Sequence, residues 1–204
     1  IGLEGSIIAG ALGGALGAIA LEGAGLGLAF GALAGLLVAL VFAVFAIGLG
    51  ADQIITGTAV TIGGLGMTGA VYQVLFGANG MELSVPTLAP VTIPWLSEIP
   101  VVGSALFAQA PTAYFAYVMA PISWYVLFKT AWGLELRATG EAPVAAEAAG
   151  VRVRVVRFSA TLFGGAMAGI AGAHLALAHA GAFAENMSAG KGFIAIAVVA
   201  LGRW

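Results

Sequence analysis

The segment from residue 25 to residue 49 contains no charged side chain, and almost all of its residues are apolar. A helix of about 20 apolar residues is long enough to cross the ~30 Å hydrocarbon core of a membrane. In the whole chain 61% of the residues are hydrophobic and 8% are charged, whereas charged residues make up about 25% of a soluble domain. We therefore predict an all-α fold, a polytopic bundle of transmembrane helices forming one domain over residues 1–204.

Apolar stretches of similar length recur along the chain and define the expected spans. We place them at about residues 6–21, 25–49, 53–77, 112–128 and 158–180. A partial span covers residues 193–204, which either begin a further crossing or form a half-helix that enters the membrane and returns. Because the chain begins with Ile1 and stops directly after an apolar run, we expect a fragment that lacks spans at both ends.

Most of the positive charge lies in one segment, residues 129–157, which we call the basic loop. It holds five of the seven Lys and Arg residues. Short loops rich in Lys and Arg stay on the cytoplasmic side, so the basic loop is predicted to be cytoplasmic. Residues 78–111, with five of the seven prolines and no base, and residues 181–192 then lie outside. Dense prolines prevent a continuous helix, so we expect an ordered loop with one amphipathic piece near 97–109.

A short helix of small residues is predicted inside the basic loop, over residues 142–149. Pro143 is tolerated in a first helical turn, residues 144–149 have high helix propensity, and Gly150 is typical of a helix end. Two turns of helix are marginal in isolation. The helix must therefore dock, either on its own bundle or on another protein.

Several function classes are disfavoured by the sequence. The chain has no cysteine, which excludes disulfides, thiol catalysis and Cys-based metal sites. The net charge of −2 argues against a nucleic-acid partner. His174 and His179 would point about 140° apart on a helix, so no shared metal site is expected. The G-x-G-x-x-G match at residues 64–69 lies inside an apolar span rather than between a strand and a helix, so any ATPase must be another chain.

Three polar positions lie close to ends of the expected spans. Ionisable groups in spans usually face the bundle interior or a water-filled path, and both a structural hydrogen-bonding role and a pathway role remain open for Glu4. Asp52 and Gln53 are either a helix cap or part of a path. Glu185 and Asn186 would line an outer vestibule or cap the next half-helix.

Glycine is abundant, with 32 residues. Gly27, Gly31 and Gly35 would lie on one stripe of a helix, as would Gly165 and Gly169. Small residues at this spacing permit close approach of membrane helices. We interpret both stripes as helix-packing surfaces.

Several stretches, in their order and spacing, resemble the permease subunits of bacterial ABC importers. The resemblance is strongest to the branch with nucleoside and simple-sugar permeases, within the branched-chain amino acid and ribose-type superfamily. It covers most of the chain, and residues 132–150 are the most specific part. The matching stretches are Ile1–Gly5, Asp52–Gly57, Trp132–Glu141, Ala145–Gly150, and Glu185–Ile194 through Gly202–Trp204.

The resemblance implies that the short helix is a coupling helix, which docks in a cleft of an ATPase subunit. The sequence departs from the usual family pattern at Ala142 and Val144, where Asn and a basic residue are expected. The residues to which the resemblance assigns this role are Glu141, Ala142, Pro143, Ala145, Ala146, Glu147, Ala148, Ala149 and Gly150.

The resemblance also implies partners and a solute. ATP and Mg would bind the partner ATPase subunits, with no cofactor on this chain, which would not itself be an enzyme. A second permease subunit, identical or paralogous, an extracytoplasmic solute-binding protein and the lipid of the bacterial inner membrane would complete the assembly. The solute would be a nucleoside or simple sugar, with Glu4, Gln53 and Asn186 near its path.

The residues alone leave another function open, a passive channel or an ion-coupled carrier for a small polar solute. Ion-coupled carriers place ionisable residues deep in their spans. The expected spans contain no clear charge at mid-membrane, which argues against coupling to protons or sodium. An intramembrane enzyme is disfavoured because the chain shows neither a paired-histidine metal site nor an obvious Ser/His or Asp dyad.

Overall fold

The computed structural model describes residues 2–77, 83–92, 106–184 and 186–202. This part of the chain is a helical bundle, which confirms the predicted all-α fold. Its helices are α1 (Leu3–Ala20), α2 (Ala24–Ala43), α3 (Gln53–Phe76), α4 (Pro111–Lys129), α5 (Ala131–Glu141), α6 (Pro143–Ala148), α7 (Val153–His174) and α8 (Lys191–Leu201). The helices α2 and α7 continue as π-helical turns over Val44–Gly48 and Leu175–Ala180.

Among the described residues, four helices are long and apolar enough to cross a membrane. They are Leu3–Ala20, Ala24–Gly48, Gln53–Phe76 and Val153–Ala180. The helix α4 has 19 residues and covers the expected span 112–128. It is not among the four, because prolines and tyrosines dilute its apolar character.

The chain forms two compact units, residues 1–87 with 158–204, and residues 88–157. In the first unit α1 is the most buried of the long helices. The residues that α2 buries are all small and follow one another at intervals of four: Gly27, Gly31, Gly35, Ala39 and Ala43. Its leucines are largely exposed, as at Leu33 and Leu37, which suits a helix whose outer face meets lipid rather than water.

The glycines of α1, α2 and α7 bring three helix backbones into direct contact. An added Cβ at Gly10 would collide with the backbone of Gly169, and one at Gly169 would collide with the carbonyl oxygen of Gly31. An added Cβ at Gly35 would meet the backbone of both Gly165 and Gly169. Both glycine stripes therefore pack helices together, as the sequence predicts.

The helix α3 begins at a side-chain cap. The Asp52 carboxylate accepts hydrogen bonds from the backbone N–H groups of Ile54 at 2.8 Å and Ile55 at 3.0 Å. These donors have no partner within the helix. The capping interpretation of Asp52 is therefore confirmed.

Replacing Asp52 by Ala should reduce the free energy of unfolding by about 1 kcal/mol, the usual loss for an N-cap. Asp52→Asn is the matched control, because Asn is an equally good cap, and it should stay close to the wild type. Thermal unfolding in detergent micelles measures both variants. Equal losses for the two would show that the charge, rather than the cap, stabilises this helix end.

The basic loop is more helical than the sequence indicates. Besides the predicted short helix, it contains α5 and the first turn of α7. The helix α5 can follow α4 directly because the Thr130 hydroxyl donates to the carbonyl of Val126 at 2.6 Å and accepts from Gly133 N–H at 3.1 Å. Gly133 also leaves room, since a Cβ there would collide with the carbonyl oxygen of Val126. A local cap and a glycine thus replace the loop that we expected at this point.

Short strands organise the described part of the Pro-rich segment 78–111. The strand β1 (Leu83–Ser84) pairs antiparallel with β4 (Ala182–Phe183), and β2 (Val91–Thr92) pairs antiparallel with β3 (Ala108–Gln109). The amphipathic piece expected near 97–109 lies largely outside the described residues, and its last two residues are the strand β3.

Candidate functional site

The short helix α6 is closed at its C-terminus by backbone hydrogen bonds. Gly150 adopts a φ of +90°, a conformation that glycine takes without strain. Its N–H donates to the carbonyl of Glu147, and the N–H of Val151 donates to the carbonyl of Ala146, both at 3.0 Å. This pair of bonds is the Schellman motif, so the predicted end of the helix at Gly150 is confirmed.

The rest of the protein covers little of the surface of α6. Ala146 is its one buried residue, at 5% exposure. Val144 is 81% exposed, and Glu147 is also exposed. The helix α6 thus exposes one apolar side chain and one carboxylate among small residues.

An arginine ties α5 to the start of α7 within the second unit. The Arg157 guanidinium donates to the backbone carbonyl of Thr139 at 3.2 Å, and Thr139 is almost fully buried. The bond satisfies a carbonyl in the last turn of α5 and places a positive charge where the helix dipole favours it. The first turn of α7 is thereby held to the end of α5 within this unit.

Glu4 caps a helix that lies far away in the sequence. Its side chain is 4% exposed. One carboxylate oxygen accepts from the N–H of Gly190 at 2.9 Å, and the other accepts from the N–H of Gly192 at 2.7 Å. Both donors belong to the N-terminus of α8. The hydrogen-bonding role weighed for Glu4 is therefore present in the structure.

The contact between Glu4 and α8 lies inside the first unit, away from its ends. The neighbouring Gly5 packs against Thr61 and Gly64 of α3, which come eight and eleven residues after Gln53. At ~1.5 Å per residue this is about 12–16 Å along the axis of α3. The end of segment 181–192 therefore lies at the level of residues 61–64 of α3, where the N-terminus of α8 binds the Glu4 carboxylate.

Gln53 and Asn186 both differ from Glu4 in being exposed. Gln53 is exposed at the first position of α3, about two helical turns from the level of Glu4. Asn186 is exposed, with a φ of +58°, and its carbonyl accepts from the N–H of Ala189 at 3.0 Å. It shapes the turn before α8 and makes no side-chain cap. Glu185 lies outside the described residues.

Two residues near the start of α8, Ser188 and Gly192, are buried in a way that the sequence analysis did not predict. Ser188 is fully buried, and its hydroxyl has no hydrogen-bond partner within the described ranges. Gly192 has no room for a side chain, since a Cβ there would lie 2.7 Å from the Glu4 carboxylate. Their only signal in the sequence is the run of small residues around Lys191.

The fold and these sites define a multi-pass helical membrane protein. The chain belongs to the family described as branched-chain amino acid transport system, permease component, whose model matches residues 1–204. This confirms the family to which the sequence was compared.

Similar proteins of this family are ABC transporter permeases. The chain is 35% identical to a putative glucose ABC transporter permease of Haloferax volcanii, over 100% of this chain and 62% of the relative. It is 36% identical to a nucleoside ABC transporter permease of Lactococcus lactis, over 88% and 56%. It is 35% identical to a guanosine ABC transporter permease of Bacillus subtilis, over 84% and 54%. The chain thus spans little more than half the length of these relatives, and no solved structure matches it.

Proposed function

We propose that the chain is part of the permease subunit of an ABC importer, which carries a nucleoside or a simple sugar across the bacterial inner membrane. The observation that carries the proposal is the match to the permease family over residues 1–204. The relatives named for glucose, nucleosides and guanosine support the solute class. Transport would proceed by alternating access, powered by ATP and Mg on separate ATPase subunits.

In this proposal α6 is the coupling helix that docks on the ATPase. Residues 141–150 would form the contact, with Ala146 turned to its own unit and the exposed Val144 and Glu147 turned to the partner. The Schellman end at Gly150 and the bond between Arg157 and Thr139 support it, because they keep α6 and its neighbours in a fixed arrangement. A movement of the ATPase would then displace α5 and α7 instead of bending a loose loop.

We further propose that the solute path passes near Glu4, Gln53 and Asn186. The amide groups of Gln53 and Asn186 are exposed and can both donate to and accept from hydroxyl groups. Both oxygens of Glu4 are already bonded to backbone N–H groups, so Glu4 would shape the path rather than bind the solute. A second permease subunit and an extracytoplasmic binding protein would complete the pathway.

The full-length protein tests this function directly. It should co-purify with an ATPase from its native membranes. Vesicles containing the complex should take up labelled guanosine or glucose only when ATP is present on the side of the membrane that carries the ATPase. A vesicle preparation with a non-hydrolysable ATP analogue is the control. Uptake that continues without ATP hydrolysis, or that follows an ion gradient, would contradict the proposal and favour a channel or carrier.

A further inference from the structure

The turn before α8 has an unusual backbone. Three of its residues have positive φ angles: Asn186 at +58°, Ala189 at +45° and Gly190 at +81°. This conformation is easy for glycine but costs on the order of 1 kcal/mol or more for a residue with a Cβ such as alanine. Such a turn persists when surrounding contacts hold it, and the carboxylate of Glu4 supplies contacts at its end.

Glu4 fits the end of this turn closely. One of its oxygens lies 2.9 Å from Gly190 N, and the other lies 2.7 Å from Gly192 N. Each oxygen therefore accepts from one donor of the same helix terminus. A Cβ at Gly192 would lie 2.7 Å from the backbone nitrogen and 2.9 Å from the Cα of Glu4. The side chain, its backbone and the helix terminus therefore make one packed contact, in which glycine is needed at position 192.

Electrostatics explains why a carboxylate suits this place. The first N–H groups of a helix have no partners within the helix and carry a partial positive charge. Because Glu4 is only 4% exposed, bulk water is not at hand to satisfy them here, and the buried carboxylate equally needs donors. Each group compensates the other, although the donor and acceptor lie 186 and 188 positions apart in sequence.

We propose that Glu4 is a positioning residue, whose carboxylate fixes the N-terminus of α8 to α1 inside the bundle so that the two helices move as one body. The helix terminus is then closed to solute anions, because Glu4 already occupies it. The inference that α8 is fixed stands on the contacts alone. Its consequence for uptake rests on the proposed function.

Pulsed EPR on the full-length protein tests the fixed position of α8. The chain has no cysteine, so spin labels can be placed at Ile62→Cys on α3 and Ile194→Cys on α8 once any cysteine elsewhere in the protein is replaced by serine. Both side chains are well exposed, at 65% and 62%. The distance is measured without solute, nucleotide or ATPase, so it does not depend on the proposed function.

Glu4→Gln should broaden this distance distribution about twofold. The NH₂ group of the glutamine would face a backbone N–H, and because both are donors, one of the two hydrogen bonds is lost. Glu22→Gln is the matched control, since Glu22 is exposed, and it should keep the wild-type distribution. If Glu4→Gln fails to fold, Glu4→Asp replaces it, because the shorter side chain keeps the charge but cannot reach both donors. An unchanged distribution in the folded variant would overturn the proposal.

Transport kinetics separates positioning from contact with the solute. For Glu4→Gln we expect the maximal uptake rate to fall about tenfold while the half-saturating solute concentration stays within about twofold, the pattern for a group that does not bind the ground-state solute. A large rise of the half-saturating concentration at an unchanged maximal rate would show direct solute binding and overturn the proposal. Absence of uptake in the wild type would count against the proposed function, while the EPR result would still decide the position of α8.

Discussion

Replacing Glu147 by Arg should reduce ATP-driven solute uptake at least about tenfold, because a reversed charge at a protein interface costs several kcal/mol and each 1.4 kcal/mol is a factor of ten in affinity. Glu147 is exposed on α6, whose surface is otherwise made of small residues. The larger arginine would also prevent close docking. Uptake into vesicles and the amount of co-purified ATPase should decrease together.

Glu135→Arg is the matched control for this variant. Glu135 lies on the adjacent helix α5, is also exposed, and gives the same change of charge. It should retain most of the uptake and the bound ATPase. Normal uptake by the Glu147 variant at normal membrane abundance would remove α6 from the coupling role. Equal loss in both variants would indicate a general effect of charge on this surface.

Replacing Gly169 by Ala should destabilise the protein by about 3 kcal/mol, at the upper end for overpacking, because the new Cβ has no space to move into. It would collide with the carbonyl oxygen of Gly31 and lie 3.0 Å from the Cα of Gly35. Both obstacles are backbone, so α2 and α7 must separate. We expect the melting temperature of the purified protein to fall by about 10 °C, with less folded protein in the membrane.

Gly164 supplies the control within the same helix. A Cβ at Gly164 meets nothing within 4 Å. Since alanine is favoured over glycine in a helix by about 1 kcal/mol, Gly164→Ala should leave stability unchanged or slightly increased. A melting temperature of Gly169→Ala close to that of Gly164→Ala would mean that the helices do not make this backbone contact.

Local rules predicted the features that depend on neighbouring residues. The cap at Asp52 and the helix end at Gly150 follow from residues within a few positions of each other, and the stripe of Gly27, Gly31 and Gly35 follows from helical spacing. The helix α5 was missed because its polar residues resemble a loop. Its start depends on the two hydrogen bonds that the Thr130 hydroxyl makes with Val126 and Gly133. A Thr shortly before a Trp and a Gly is usually interpreted as part of a loop.

The contact of Glu4 with α8 could not be predicted in this way. It joins the first turn of α1 to residues at the other end of the chain, and one sequence contains no information on which distant backbone groups meet. The sequence left open whether residues 193–204 begin a crossing or form a half-helix that enters the membrane and returns. A helix terminus inside the bundle needs a buried partner for its N–H groups, and the structure shows that this partner is the Glu4 carboxylate.

The glycine contacts between α1, α2 and α7 have a mechanical consequence. At Gly10, Gly31, Gly35 and Gly169 backbone meets backbone, whereas Phe30 packs on Gly17 and Leu177 packs on Gly27 with larger side chains. At the backbone contacts alone, a small shift along the helix axis requires no change of side-chain rotamers, which is the condition for shear motion. We therefore expect a small displacement along a helix axis to be easier at the backbone contacts of Gly169 than where Phe30 and Leu177 pack between helices.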